Sequence, residues 1–244
     1  MLKKIMGVNV NYKFNDINSD TTIVLLHGWG QNIEMMEPIG NRFKNKFNVL
    51  ILDFPGFGES EEPKEVWGVY DYVDCLRKLI ESLELSKIIL VGHSFGGRVA
   101  LVYSSKYKVE KLVCLASPYC KELQKLPLKN RIYKRLKKIK CLTWLARLMQ
   151  NKVGSTDYKN ASEVMRGVLV KTINFDLSED VKKIKCPTLL IWGSLDTAVP
   201  LKRAYELEKM INDSAVIVYE GATHYAYLER LNQVVVVLNS FFNS

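Results

Sequence analysis

The sequence predicts an α/β sandwich, a mainly parallel sheet covered by helices on both faces and interrupted by one helical insertion. Three observations predict it. Six short apolar runs recur along the 244 residues, each rich in β-branched side chains and nearly continuous, as strands buried on both faces are. Helical patterns alternate with these runs, which is the signature of crossover connections. The alternation fails once, between Leu115 and Thr188, a gap too long for a bare loop and with apolar spacing of helical period.

The segment Ile5 to Phe14 alternates loosely and predicts one or two antiparallel edge strands. Thr22 to Leu26 is the first buried strand, followed by the glycine-bracketed turn His27-Gly28-Trp29-Gly30 and a helical stretch from Glu34 to Phe43. Val49 to Leu52 is the next strand, and the tract Asp53 to Ser60 after it reads as a rigid turn in which Asp53 and Ser60 supply hydrogen bonds. A helix over Tyr70 to Leu83 leads to the strand Ile88 to Val91. There Gly92-His93-Ser94-Phe95-Gly96 gives way to a helix over Phe95 to Lys106. Leu112 to Leu115, Thr188 to Trp192 and Ala215 to Tyr219 are the remaining strands, with helices over Leu201 to Met210 and Tyr227 to Phe242. The expected organisation is a core of 1–118 and 185–244 with an insertion, 119–184, forming a lid above the strand C-termini, where ligands of open α/β sheets bind.

Composition narrows the chemistry. Apolar residues make up 48% of the chain, and no run approaches the ~20 residues that span a bilayer. The stretch after Met1-Leu2-Lys3-Lys4 is too short for a secretory leader, so a cytoplasmic protein is expected. Five scattered cysteines without a C-x-x-C pair suggest neither a disulfide framework nor zinc, and three histidines without H-E-x-x-H make a histidine-rich metal site a poor fit. No cofactor is implied. The net charge of +9 is concentrated: between Lys121 and Lys152 there are eleven Lys or Arg against the single acid Glu122. A nucleic-acid binder more often spreads its charge across the binding fold, so no nucleic-acid partner is expected.

The pentapeptide around Ser94 places a serine between glycines at a strand-to-helix turn. Such a turn lifts the central side chain out of the sheet, and bulky residues two before or two after would obstruct it. The same turn leaves the amide of Phe95 as an unpaired donor at a helix start, able to hold an oxyanion. A serine needs a base, and the base needs a group that fixes its tautomer. His224, in the loop after the last strand, is the candidate base; His27 and His93 are assigned structural roles. Asp196, between the strand Thr188 to Trp192 and the following helix, is the candidate acid, because the alternative loop Ala116-Ser117-Pro118 offers no carboxylate. Taken alone, Asp196 also reads as a helix cap or Asx-turn residue. The amide of Trp29 is the candidate second oxyanion donor, and the same four residues also read as a plain strand-ending turn.

These motifs, His27 to Gly30, Asp53 to Ser60, Gly92 to Gly97, and the Asp196 and His224 loops, resemble in order and spacing those of lidded α/β hydrolases, over the whole chain outside the lid. The resemblance implies Ser94 as nucleophile, Asp196 as acid, His224 as base, and the Trp29 and Phe95 amides as oxyanion hole. A serine at 94 rather than an aspartate sets the chain apart from the epoxide hydrolase and haloalkane dehalogenase branches. Within the family, His-Gly-Trp-Gly and Asp-x-Pro-Gly-Phe-Gly are similar to carboxylesterases acting on pimeloyl acyl-carrier-protein methyl ester. The expectation is a serine hydrolase of a small-molecule ester or thioester. A carbon–carbon bond hydrolase of vinylogous diketones and a catalytically idle small-molecule receptor are the alternatives.

Apolar residues at 132, 136, 139, 142, 145 and 149 predict a basic amphipathic helix within 131–150. It packs on the core or lines an acyl pocket, or it meets an anionic lipid surface or an acidic carrier protein. The sequence does not fix the oligomeric state.

Overall fold

A computed structural model describes residues 1–121 and 161–244. Eight strands form one sheet in the order β1-β2-β4-β3-β5-β6-β7-β8. They are β1 (Leu2–Ile5), β2 (Val8–Asn15), β3 (Thr21–Leu26), β4 (Asn48–Leu52), β5 (Lys87–His93), β6 (Lys111–Leu115), β7 (Thr188–Gly193) and β8 (Ser214–Tyr219). The first two are antiparallel, β1 to β2 and β2 to β4, and the other six run parallel.

Alternation along β3 shows how the core is divided. Val24 and Leu26 join Leu50, Leu52 and Leu90 on one face, under α2 (Val69–Ser82) and α3 (Phe95–Lys106). Ile23 and Leu25 join Val49, Ile51 and Val91 on the other, under α1 (Glu37–Phe43) and the C-terminal helix α8 (Leu231–Asn243). Both faces are buried, which is why these strands carry apolar runs rather than a polar alternation. Between the core and β7 lie α4 (Glu163–Ile173) and α5 (Ser178–Val181), α6 (Lys202–Met210) joins β7 to β8, and α7 (Ala226–Glu229) precedes α8.

Two helices expected as single units are divided. Glu34 to Phe43 becomes a 3₁₀ turn, Ile33–Met35, capped by the Asn32 side chain on the Glu34 amide, and then α1 with Pro38 in its first turn. Proline has no N–H to extend the earlier turn. Tyr227 to Phe242 becomes α7 and α8, broken at Arg230, whose φ of −121° lies outside helical values.

Of the expected insertion, the described residues give its two roots. The buried Arg98 of α3 donates to the carbonyls of Pro118 (3.2 Å) and Thr172 (2.8 Å) and also to that of Phe175. The Leu177 amide donates to the Tyr119 carbonyl at 2.8 Å. The departing and returning chains are thus tied to the helix that follows Ser94. The basic helix expected within 131–150 lies outside the described residues. Among the described residues, no helix is long and apolar enough to cross a membrane.

Candidate active site

The parallel strands deliver their C-terminal loops to one rim, and the residues singled out in the sequence stand there. Ser94 follows β5 with φ 50° and ψ −109°, a conformation a non-glycine residue adopts at a cost of about 1–3 kcal/mol. The surroundings enforce it: the Ser94 amide donates to the Leu115 carbonyl at 2.9 Å, and its carbonyl accepts from the Arg98 amide at 3.1 Å. A Cβ on Gly92 would stand 2.6 Å from the Gly96 carbonyl oxygen, and one on Gly96 would stand 2.4 Å from that of Leu26. The two glycines are therefore what lets the strand, the elbow and the helix approach so closely. Phe95 opens α3, where the first amides lack intrahelical acceptors.

Asp196 makes the contacts of a turn residue and also faces His224. Its Oδ1 accepts from the Ala198 and Val199 amides at 2.9 and 2.8 Å, an Asx-type turn, and its Oδ2 faces His224 Nδ1 at 2.8 Å. The Asp196 side chain is wholly buried and that of His224 is 16% exposed. An ionised carboxylate only accepts, so His224 carries its proton on Nδ1 and leaves Nε2 able to take one. The structure joins these two residues by a hydrogen bond. It does not join His224 to the half-buried Ser94, whose hydroxyl makes no hydrogen bond among the described residues.

His27 and His93 are both fully buried. The Phe54 amide donates to His27 Nε2 at 3.0 Å, so Nδ1 holds the proton and donates to the Gly28 carbonyl at 2.7 Å. Burial brings the His27 pKa down to about 4, against the opposing effects of that bond and of Asp53. His93 turns toward the loop that carries His224, with Nε2 3.1 Å from the His224 carbonyl oxygen and its ring 4.9 Å from the His224 ring. Burial, and then the charge of His224, bring its pKa down to about 3. Neither histidine is placed as a base, and His93 supports the backbone of His224.

Gln31 was not visible in the sequence. Its Oε1 accepts from the Gly28 amide at 2.9 Å and lies 3.2 Å from His93 Nδ1, while its Nε2 donates to the Tyr225 hydroxyl at 3.3 Å. One amide side chain thus links the Trp29 loop, the residue before Ser94 and the His224 loop. No motif marks such a residue; only the folded proximity of three loops reveals it. Asn11 is similar, donating from Nδ2 to Asp53 Oδ2 at 2.8 Å. Asp53 also accepts from the amides of Ile33 (2.7 Å) and Glu59 (2.9 Å), and Ser60 Oγ donates to the Asp53 carbonyl at 2.7 Å. These are the turn roles expected of both residues.

Beside Trp29 lies a cavity of about 340 Å³ with an apolar wall of Trp29, Phe57 and Met165 and a polar side formed by Glu62 and Ser162, which are hydrogen-bonded to each other. Trp29 packs edge-on against Phe57 and Phe95 with ring centroids 4.8 and 5.6 Å away. Among the described residues, no group of three or more His, Cys, Asp or Glu side chains is placed to hold a metal ion.

Residues 21–135 match the family model described as alpha/beta hydrolase fold, and residues 170–243 match the model described as TAP-like protein, so the two together span most of the sequence. The chain belongs to the α/β-hydrolase family. This hydrolase is 27% identical over 258 residues to the AB hydrolase superfamily protein YisY of Bacillus subtilis, a match covering 94% of each chain. It is 25% identical over 244 residues to a pimeloyl-[acyl-carrier protein] methyl ester esterase of Aliivibrio fischeri, covering 91% of this chain and 93% of that one. Among solved structures it shares the fold of the enol-lactonase from Burkholderia xenovorans, with a TM-score of 0.80 at 18% identity over the full length of both chains.

Proposed function

We propose that this hydrolase cleaves a carboxylic ester or thioester through an acyl-enzyme on Ser94. The observation that carries the reading is the Asp196–His224 hydrogen bond at the same sheet rim as the left-handed Ser94 elbow. In this mechanism His224 Nε2 takes the Ser94 proton as Oγ attacks the carbonyl, and Asp196 stabilises the imidazolium that forms. The oxyanion is held by the amides of Phe95 and Trp29, the alcohol or thiol leaves with the proton from His224, and water then releases the acid by the same route. The cavity beside Trp29 receives the acyl chain against Phe57 and Met165. The relative that acts on pimeloyl-[acyl-carrier protein] methyl ester supports the reaction class.

We extend the reading to the insertion, 119–184, as a lid over this rim, and to the cytoplasm as the compartment. The basic segment between Lys121 and Lys152 would then favour an acidic carrier presenting the acyl group. Turnover of such a carrier substrate should fall as salt rises while that of a small neutral ester holds steady, and parallel salt curves would remove the carrier from the proposal.

Ser94→Ala should abolish hydrolysis of a short p-nitrophenyl ester and labelling by a fluorophosphonate. Full activity in that variant would refute the assignment, and turnover of a vinylogous diketone in preference to every ester would reassign the bond cleaved.

A further inference from the structure

The opposite rim, where the parallel strands begin, carries a second cavity of about 370 Å³. Its walls are Ser104 to Val109, where α3 ends and turns toward β6, and Lys183, Lys185 and Cys186, on the segment that leads into β7. With β6 five residues long, a strand rise of ~3.3 Å per residue sets this rim roughly 16 Å from the candidate active site. The volume lies in the range of small-ligand sites.

Four of the lining residues are lysines, at 106, 108, 183 and 185, and among the described residues no carboxylate lines the cavity. Nearby acids offset part of that charge. Glu110 lies 3.5 Å from Lys108 Nζ, Asp180 lies 4.0 Å from Lys183 Nζ, and the charge of Asp213 is felt at Cys186. Both contacts are long, that of Lys108 is exposed, and the buried Asp180 already accepts from the Tyr70 hydroxyl at 2.8 Å. Lys106 Nζ sits 3.9 Å from the centroid of the Tyr70 ring, and Lys185 has no acid within ion-pair distance among the described residues. The dipole at the end of α3 accounts for a lysine in its last turn, Lys106, but not for Lys183 and Lys185 on a separate segment.

A second, independent observation is a buried hydroxyl. Among the described residues Ser104 Oγ has no hydrogen-bond partner although the residue is only 8% exposed, whereas the neighbouring Ser105 hydroxyl donates to the Val102 carbonyl at 2.7 Å. An unsatisfied buried hydroxyl is costly, and a change of the Ser104 χ1 rotamer that brings this shielded oxygen to the cavity wall would let an entering acceptor oxygen relieve it.

We propose that this cavity binds a small phosphate-bearing molecule, with the four lysines around its oxygens and the Ser104 hydroxyl donating from the wall. Ammonium groups suit phosphate as adjustable point charges, and a hydroxyl donor adds direction. The site is separate from the ester-cleaving reading and stands or falls without it.

Inorganic pyrophosphate titrated into the full chain should bind saturably and raise the melting temperature, with sodium chloride at matched ionic strength as control. The double variant Lys183→Gln with Lys185→Gln should weaken binding by about tenfold or more, and Ser104→Ala should weaken it a few fold. Both variants should hydrolyse a small ester as the wild type does. An equal thermal rise with chloride, equal pyrophosphate affinity in wild type and the lysine variant, or unchanged affinity in Ser104→Ala would each overturn the proposal. If the lysine variant fails to fold, Ser104→Ala decides.

Discussion

Asp196 gives one oxygen to a backbone turn and the other to an imidazole, and the two can be separated by substitution. In Asp196→Asn the remaining carbonyl oxygen can still accept from Ala198 and Val199, while the amide nitrogen facing His224 Nδ1 imposes the wrong tautomer. The expected result is a fall in kcat of the order of 10³–10⁴ with little change in melting temperature. Asp196→Ala loses the turn as well, so it should match the loss in rate and also destabilise by about 1–2 kcal/mol. A measurement of kcat and urea midpoint for both variants checks the separation; equal stability in the two would mean the turn bonds contribute nothing. Gln31 is tested in the same way. Gln31→Ala leaves Gly28 N–H without its acceptor and should lower kcat more than it raises KM, because it loosens the oxyanion loop rather than the cavity.

At the scale of elements, close approach explains more than propensity does. The strand Thr188–Gly193 ends on a glycine whose Cβ would stand 2.2 Å from the Thr223 carbonyl and 2.3 Å from that of Ala222. Gly193→Ala must therefore push the His224 loop off β7. It should reduce ester turnover by an order of magnitude or more while Asp196 itself is untouched, and a variant with wild-type kcat would show that the loop is free to shift. The same reasoning tells what the sequence could reveal. Helix α3 was legible to the residue, because Gly96 and the apolar period mark its start and Lys106 its last turn. The break at Arg230 was not, since Leu228-Glu229-Arg230-Leu231 contains no breaker and the helix divides for tertiary reasons. Ser94, Asp196 and His224 were legible because each follows a strand. Gln31 and Asn11 were not, because a neutral amide carries no signal until the loops it joins have met.

For the whole molecule, the two buried histidines make stability depend on pH. Both have pKa values depressed on folding, to about 4 for His27 and about 3 for His93, chiefly by burial. The unfolded chain binds these protons near pH 6.5, so it holds more protons than the folded chain below that value. The stabilisation is complete above pH 6.5 and is lost as pH falls toward 4 and then 3. On the order of several kcal/mol is at stake. The window from pH 6.5 to 5 lies above the range in which ordinary carboxylates titrate, so a falling urea midpoint there reports the histidines. A midpoint constant from pH 7 to 5 would contradict their neutral, buried state. Asp53 adds a different kind of dependence. Its carboxylate gathers the first hairpin through Asn11, the 3₁₀ turn through the Ile33 amide, and the segment after β4 through the Glu59 amide. Damage at such a knot cannot be tallied strand by strand: once Asp53 is cut to alanine, removing Asn11 as well should cost almost nothing more, and the shortfall from additivity in a double-mutant cycle measures how far one acid side chain has made three distant stretches of chain share a single fate.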